Sequence, residues 1–194
     1  PEKGIKAGIL KGGRPVDKRF SAHYNKNQYQ WPGCFRLLIL VLIVRKGADS
    51  LETIRFVWRP GDGDLSDAYR VRLRVFCDEQ GYRPDMELDE QDAASQHLIA
   101  YDGDEPVATG RLYEKAPAVY GLGRIAALPA YRGRGLGARL VWEMCRRAKE
   151  LGAETAELDA QCRVIPFYEK QGFAVCGGEH LDGHVPHRLM RRKL

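Results

Sequence analysis

The sequence predicts one α/β domain over residues 54–194, and three observations carry that prediction. From Ile54 onward, apolar segments of strand length alternate with segments of helical period. The run Tyr120 to Leu128 leads through a loop with glycines at 133, 135 and 137 into a long amphipathic segment. Ahead of it, His97-Leu-Ile-Ala-Tyr101 and Val107 to Tyr113 flank Asp102-Gly103, whose turn chemistry brings the second strand back beside the first.

In chain order, Ile54 to Trp58 reads as a short strand closed by Pro60-Gly61. Asp64 or Ser66 caps a helix carrying Leu65, Ala68, Tyr69, Leu73 and Phe76. A charged loop over 81–92 separates this helix from the hairpin. After the strand Tyr120 to Leu128, apolar residues at 136, 140, 141, 144, 148 and 151 mark one face of a long helix, which Gly152 stops. Thr155 to Ala160 is a strand, and Pro166 suits the first turn of a short helix ended by Gly172. Phe173 to Cys176 and His187 to Met190 are the last candidate strands. Residues 1–53 differ in kind: they are rich in Gly, Asn and Gln, with no sustained period before the apolar run Leu37 to Val44. Those eight residues fall far short of the ~20 that span a bilayer. We read this segment as an N-terminal extension, disordered or mis-called.

The 194 residues carry a formal charge of +5, which is unevenly spread. Residues 1–53 hold ten Lys+Arg against four Asp+Glu, leaving 21 against 22 for residues 54–194, so the domain is neutral and lacks a nucleic-acid footprint. Five cysteines without paired spacing suit a reducing cytoplasm better than a disulfide framework.

The glycine loop entering a helix is the feature that carries chemistry. Glycines let backbone N–H groups crowd onto an anion, and the first helical turn adds unpaired donors and the positive end of the dipole. The natural occupant is a phosphate or pyrophosphate. No Lys-Ser or Lys-Thr follows Gly137, which argues against a nucleotide hydrolase. Gly121-Leu-Gly-Arg-Ile-Ala126 matches a dinucleotide fingerprint in letters only, because it opens a strand rather than a helix.

The remaining pattern, Arg132-x-x-Gly135-x-Gly137 after a strand, resembles the acetyl-coenzyme A signature of the GNAT superfamily of N-acetyltransferases. Pro166-Phe-Tyr-Glu-Lys-Gln-Gly-Phe173 resembles that family's second landmark. Val75 to Gln80, the acidic stretch Asp85 to Asp92, His97, Leu158 to Gln161 and Val185-Pro-His187 look like its ElaA-like branch. The resemblance covers roughly residue 54 to the C-terminus. It implies a mixed, mostly antiparallel central sheet flanked by helices, splayed at the strands before and after the cofactor-binding helix. It further implies acetyl-CoA as acyl-donor substrate and no metal. Loop residues Arg132, Gly133, Arg134, Gly135, Leu136 and Gly137 would hold the pyrophosphate, while Ile125, Ala126 and Ala127 would pair with the pantetheine arm through their backbones.

The same resemblance makes Tyr168 the donor to the departing thiolate; read as a residue, it is equally a core aromatic. A protonated amine must lose a proton before it attacks, yet the strand Tyr120 to Leu128 has no carboxylate to take it. Glu79 and His97 are the candidates that the branch resemblance supplies, against readings as a helix-end charge and a satisfied strand histidine. Arg132 and Arg134 either grip phosphate or flank a turn in solvent. Asp85, Glu87, Asp89, Glu90 and Asp92 form a solvated loop or line a mouth that gathers cationic amines. His180, His184 and His187 with Cys162 and Cys176 match no familiar zinc spacing, and Cys162 is an alternative acyl-carrying nucleophile without an assignable histidine.

The expected function is an acetyl-CoA-dependent N-acetyltransferase acting on a primary amine, in a small molecule or peptide, by direct attack in a ternary complex. The alternative is a coenzyme A-binding sensor without turnover; a nucleic-acid module centred on residues 1–53 is a third reading. No membrane partner is expected, and a homodimer is an open arrangement.

Overall fold

The structure, a computed structural model, describes residues 53–194; the extension expected over 1–53, with its apolar run, lies outside the described residues save for Thr53. The elements run β1 (Ile54–Pro60), α1 (Ser66–Arg72), α2 (Pro84–Glu87), β2 (Gln96–Asp102), β3 (Glu105–Ala116), β4 (Val119–Ala127), α3 (Leu136–Glu150), β5 (Thr155–Gln161), α4 (Ile165–Glu169), β6 (Ala174–Asp182) and β7 (Val185–Lys193). The described strands form one sheet in the order β1-β2-β3-β4-β5-β7-β6. Only β4 and β5 pair in parallel; every other neighbouring pair is antiparallel.

Alternation along the strands sends side chains to two helical layers. On one face, Leu136, Leu140, Val141, Met144 and Ala148 of α3 pack with Leu98, Ala100, Leu112, Leu122, Leu158 and Met190. This is the predicted stripe, with Leu151 at its margin. On the other face, Ala68 meets Ile99 and Tyr101, while Val71 and Val75 meet Ala126. Asp64 accepts from the Ser66 amide at 3.0 Å, so it bonds the first turn of α1 as a cap would, although Leu65 occupies the boundary. The helix then passes without interruption into a π-helical segment, Leu73–Glu79, whose wider turn no periodicity count anticipates. The last two strands are a long hairpin, β6 and β7, rather than two short runs.

The acidic segment requires a correction. Residues 84–92 are not a solvated loop: they fold into α2 and a 3-10 turn, Glu90–Asp92, with Glu87 and Asp92 buried. Arg72, fully buried, donates Nε to Glu87 at 2.7 Å and Nη1 to Asp92 at 2.8 Å. Arg111 reaches Asp92 at 2.8 Å and also pairs with Asp89, and Arg124 reaches Asp89 at 2.9 Å. Burial raises the pKa of Asp92, but the hydrogen bonds from Arg72 and Arg111 outweigh it and hold the carboxyl below its usual value. Three arginines thus consume three of the five carboxylates, and of the five only Asp85, paired with Arg83, and Glu90 are exposed.

The sheet is divided by the parallel pair. β4 and β5 are in register from Val119↔Thr155 to Leu122↔Leu158, and pairing ends there. On its other edge β4 stays with β3, but the register slips between Thr109↔Ala126 and Arg111↔Gly123, so one extra residue is accommodated in β4. Arg124, at φ 50°, lies in that bulge. A left-handed non-glycine residue costs roughly 1–2 kcal/mol, and its guanidinium contacts to Glu87 and Asp89 offset the strain. Bulges bend the strand that carries them; β4 turns away and the sheet opens.

Replacing Arg72 by Met should leave Glu87 and Asp92 buried without their main counter-charge. Urea unfolding should report a loss of about 3–5 kcal/mol. A midpoint within error of wild type would show that the segment is held by its apolar contacts alone.

Candidate functional site

Where β4 and β5 separate, they flank a cavity of about 650 Å³. Leu122 through Ala127 line one wall and Leu158 through Gln161 the other, with Phe167 and Tyr168 of α4 at one side and Tyr82, Met86 and His187 at another. Beyond Leu122 the edge of β4 that faces this opening has no β5 partner. Its backbone groups are therefore available to an extended ligand that can pair as a strand would. Ala126 is buried and Ile125 and Ala127 are half-buried, leaving little side-chain bulk along the wall.

The wall ends at the glycine loop. Gly133 and Gly135 take φ values of 74° and 85°, a region that strains side-chain-bearing residues. α3 starts at Leu136 with no side-chain cap, so its first-turn N–H donors are left for a ligand. Gly137 has a packing reason as well: a Cβ there would lie 3.3 Å from Cζ of Phe167. The loop helix and α4 are thereby seated against each other. Arg134 is exposed. Arg132 is engaged, donating Nε to the Ala127 carbonyl at 2.8 Å and both terminal nitrogens to Glu79 at 2.7 Å.

The predicted residues do not all converge. Tyr168 lies at the cavity with its ring buried between Phe167 and Phe173, and its hydroxyl has no hydrogen-bond partner among the described residues. Burial alone pushes its pKa up to about 12. Glu79 also lines the cavity, but the Arg132 fork occupies both oxygens and lowers its pKa. His97 lies outside the cavity lining, 0% exposed, with Nε2 at 3.1 Å from the Asp92 carbonyl and Nδ1 unpartnered. Burial lowers its pKa. Cys162 is half-buried, its Sγ 3.5 Å from a Glu179 oxygen, and its pKa is raised. Among the described residues no cluster of three His, Cys, Asp or Glu is arranged to hold a metal, and no helix is long and apolar enough to cross a membrane.

One residue enters the site that the sequence offered within the branch resemblance and a rejected metal pattern, with no catalytic role. His187, 6% exposed, lines the cavity from β7 directly opposite Gln161. The sequence signal was present in Val185-Pro-His187, but only pairing with the end of β5 gives the ring a place.

The family model for the acetyltransferase (GNAT) family matches residues 64–173, which span the cavity walls, the glycine loop and α4. The chain belongs to the GNAT family of acyltransferases. The uncharacterized N-acetyltransferase YjcF of Bacillus subtilis is 38% identical over 130 residues, covering 66% of this chain and 91% of that protein. The crystal structure of Escherichia coli ElaA aligns with a TM-score of 0.66 at 23% identity, over 72% of this chain and 99% of its own. A GNAT acetyltransferase from Elizabethkingia anophelis, solved with acetyl-CoA bound, aligns with a TM-score of 0.59 at 13% identity, over 74% of this chain and 99% of its own. The last two establish a shared fold, including the mixed sheet. This family uses acetyl-CoA, and acyl transfer is the activity that membership carries.

Two histidines of this GNAT domain should titrate in opposite senses. Burial lowers the pKa of His97, whereas the Asp159 carboxylate, 2.8 Å from Nε2 of His180, raises that of His180. Folding lowers the first below the ~6.5 of an unfolded chain, so the stability tied to its neutral ring is complete above that value and is lost as pH falls beneath it. Imidazole NMR should find His97 titrating below, and His180 above, the ~6.5 of an unperturbed histidine. A His97 midpoint at or above that value would contradict the burial argument.

Proposed function

We propose that this GNAT domain transfers the acetyl group of acetyl-CoA to a primary amine by direct attack in a ternary complex. The observation that carries the reading is the parting of β4 from β5, with an uncapped helix N-terminus at one end and Tyr168 lining the cavity. In this reading the amides of the glycine loop and first turn of α3 hold the pyrophosphate. Ile125, Ala126 and Ala127 offer backbone pairing to the pantetheine arm, except that the Ala127 carbonyl is already taken by Arg132. Arg132 then serves as a brace joining Glu79 to the end of β4, and phosphate recognition falls to backbone donors and Arg134.

Tyr168 is suited to stabilise the departing thiolate without surrendering its proton. A thiol near pKa ~8.5 and a phenol at about 12 make full transfer uphill by about 5 kcal/mol, so a hydrogen bond is the favoured form of assistance. That bond strengthens as negative charge gathers on sulfur, which lowers the barrier. The acceptor is an amine-bearing small molecule or peptide. The four described cysteines are free thiols, which supports a reducing, cytoplasmic setting.

Changing Gly135 to Val forces a β-branched residue into a left-handed position at the loop. Calorimetric titration should show acetyl-CoA affinity reduced at least tenfold with cooperative unfolding retained. Undiminished affinity would take the loop out of the binding site.

Tyr168→Phe removes the hydroxyl and keeps the ring. A donor to a charged partner is worth roughly 1.5–3 kcal/mol, so amine-dependent thiol release should fall about ten- to a hundredfold with acetyl-CoA affinity little changed. The defect should shrink with an acyl donor whose thiol leaves more readily. Wild-type turnover in this variant would return Tyr168 to the role of a core aromatic, and acetyl-CoA binding with no thiol release by wild type across an amine panel would favour a sensor.

A further inference from the structure

The acetyl-transfer reading leaves one proton unassigned. An alkylamine is almost wholly protonated at neutral pH, so some group must take a proton before nitrogen can attack. The candidates at the cavity differ in how free they are. Both Glu79 oxygens are bound by Arg132, and Glu87 is held by Arg72 and Arg124. Asp159 is paired with His180, and that pair favours the charged imidazolium, which cannot accept a proton. Asp182 is an exposed carboxylate at the rim, and carboxylates lie further below an amine in basicity than an imidazole does.

His187 is arranged differently. Nδ1 is 2.9 Å from the carbonyl oxygen of Val185. A carbonyl can only accept, so Nδ1 carries the hydrogen and the neutral ring presents a lone pair at Nε2. Nε2 has no hydrogen-bond partner among the described residues, and the residue lines the cavity. The titratable ring facing it is that of His180, its cross-strand partner on β6, at 6.3 Å between centroids, with the Asp159 carboxylate beside His180 offsetting the charge of that ring. His187 and Gln161 are cross-strand partners, so they share one face of the sheet. Tyr168 packs in the core on the opposite face, with Phe173 and the α3 residues. The opening between β4 and β5 connects the two faces.

We propose that Nε2 of His187 is the general base for the acceptor amine, approaching from the face opposite Tyr168; this rests on the acetyl-transfer reading. The ammonium gives one proton to Nε2, and the neutral amine attacks the thioester carbonyl as a C–N bond forms. Collapse breaks the C–S bond, with the Tyr168 hydroxyl bonded to the leaving sulfur. The second nitrogen proton passes to the thiolate, and the imidazolium returns its proton to water. The products are an amide, a thiol and one released proton, which balances the ammonium and thioester consumed.

Two measurements test this. Long-range proton–nitrogen NMR of wild type should find the neutral form of the His187 ring carrying its hydrogen on Nδ1; hydrogen on Nε2 would overturn the proposal without reference to turnover. His187→Asn keeps a donor near the Val185 carbonyl and removes Nε2. With an alkylamine that wild type acetylates, kcat/KM at neutral pH should fall about a hundredfold, with acetyl-CoA affinity unchanged. The loss should diminish as pH approaches the amine's own pKa, and should nearly vanish with an aniline-type acceptor that is already neutral. An equal loss for both acceptors at every pH would make His187 a structural residue, and no loss would remove it from the reaction. Wild type that releases no thiol with any amine would refute acetyl transfer itself, an outcome distinct from an active wild type matched by His187→Asn.

Discussion

The site depends on β4 and β5 ceasing to pair after Leu122 and Leu158. A parallel sheet that stayed closed would satisfy every backbone group in β4 and leave no channel between its two faces. Because β3 still holds the other edge of β4, the strand remains rigid while its inner edge is unpaired. An extended ligand can then substitute for the missing strand. This arrangement has a cost, since open backbone groups and a left-handed Arg124 both disfavour folding.

That cost explains an otherwise odd concentration of charge. Arg72, Arg111 and Arg124 bind Glu87, Asp89 and Asp92 in a cluster that is largely buried. Ion pairs of this kind contribute modest net stability but are damaging to break. Their effect here is to fix the segment 84–92 against the bulge, so that β4 has one path. The π-helical stretch before it carries Glu79 to Arg132, which also holds the Ala127 carbonyl. Both ends of the open stretch of β4 are therefore braced by arginine.

The order of strands and helices from residue 54 was legible because period and turn chemistry are local. The glycine loop and the Pro166 to Phe173 segment were legible for the same reason, and their resemblance to known proteins supplied the splayed sheet. What escaped was non-local. The carboxylates of 85–92 look solvated in sequence, since their arginine partners stand up to 37 positions away at Arg124. His97 looks available because alternation gives no measure of full burial beneath Asp92. His187 gains its position only from pairing with Gln161, across a hairpin whose length the apolar pattern understated.

The proposed chemistry uses two faces that meet at one opening: a buried phenol reluctant to lose its proton on one side, and an imidazole with an unengaged nitrogen on the other. Binding of acetyl-CoA along the unpaired edge of β4 is the claim on which both assignments stand. Amide hydrogen exchange with and without acetyl-CoA tests it most directly. Protection should rise at residues 124–127 and 133–138 and remain unchanged in the β6–β7 hairpin. Protection confined to other segments, with β4 and the start of α3 unaffected, would contradict the account.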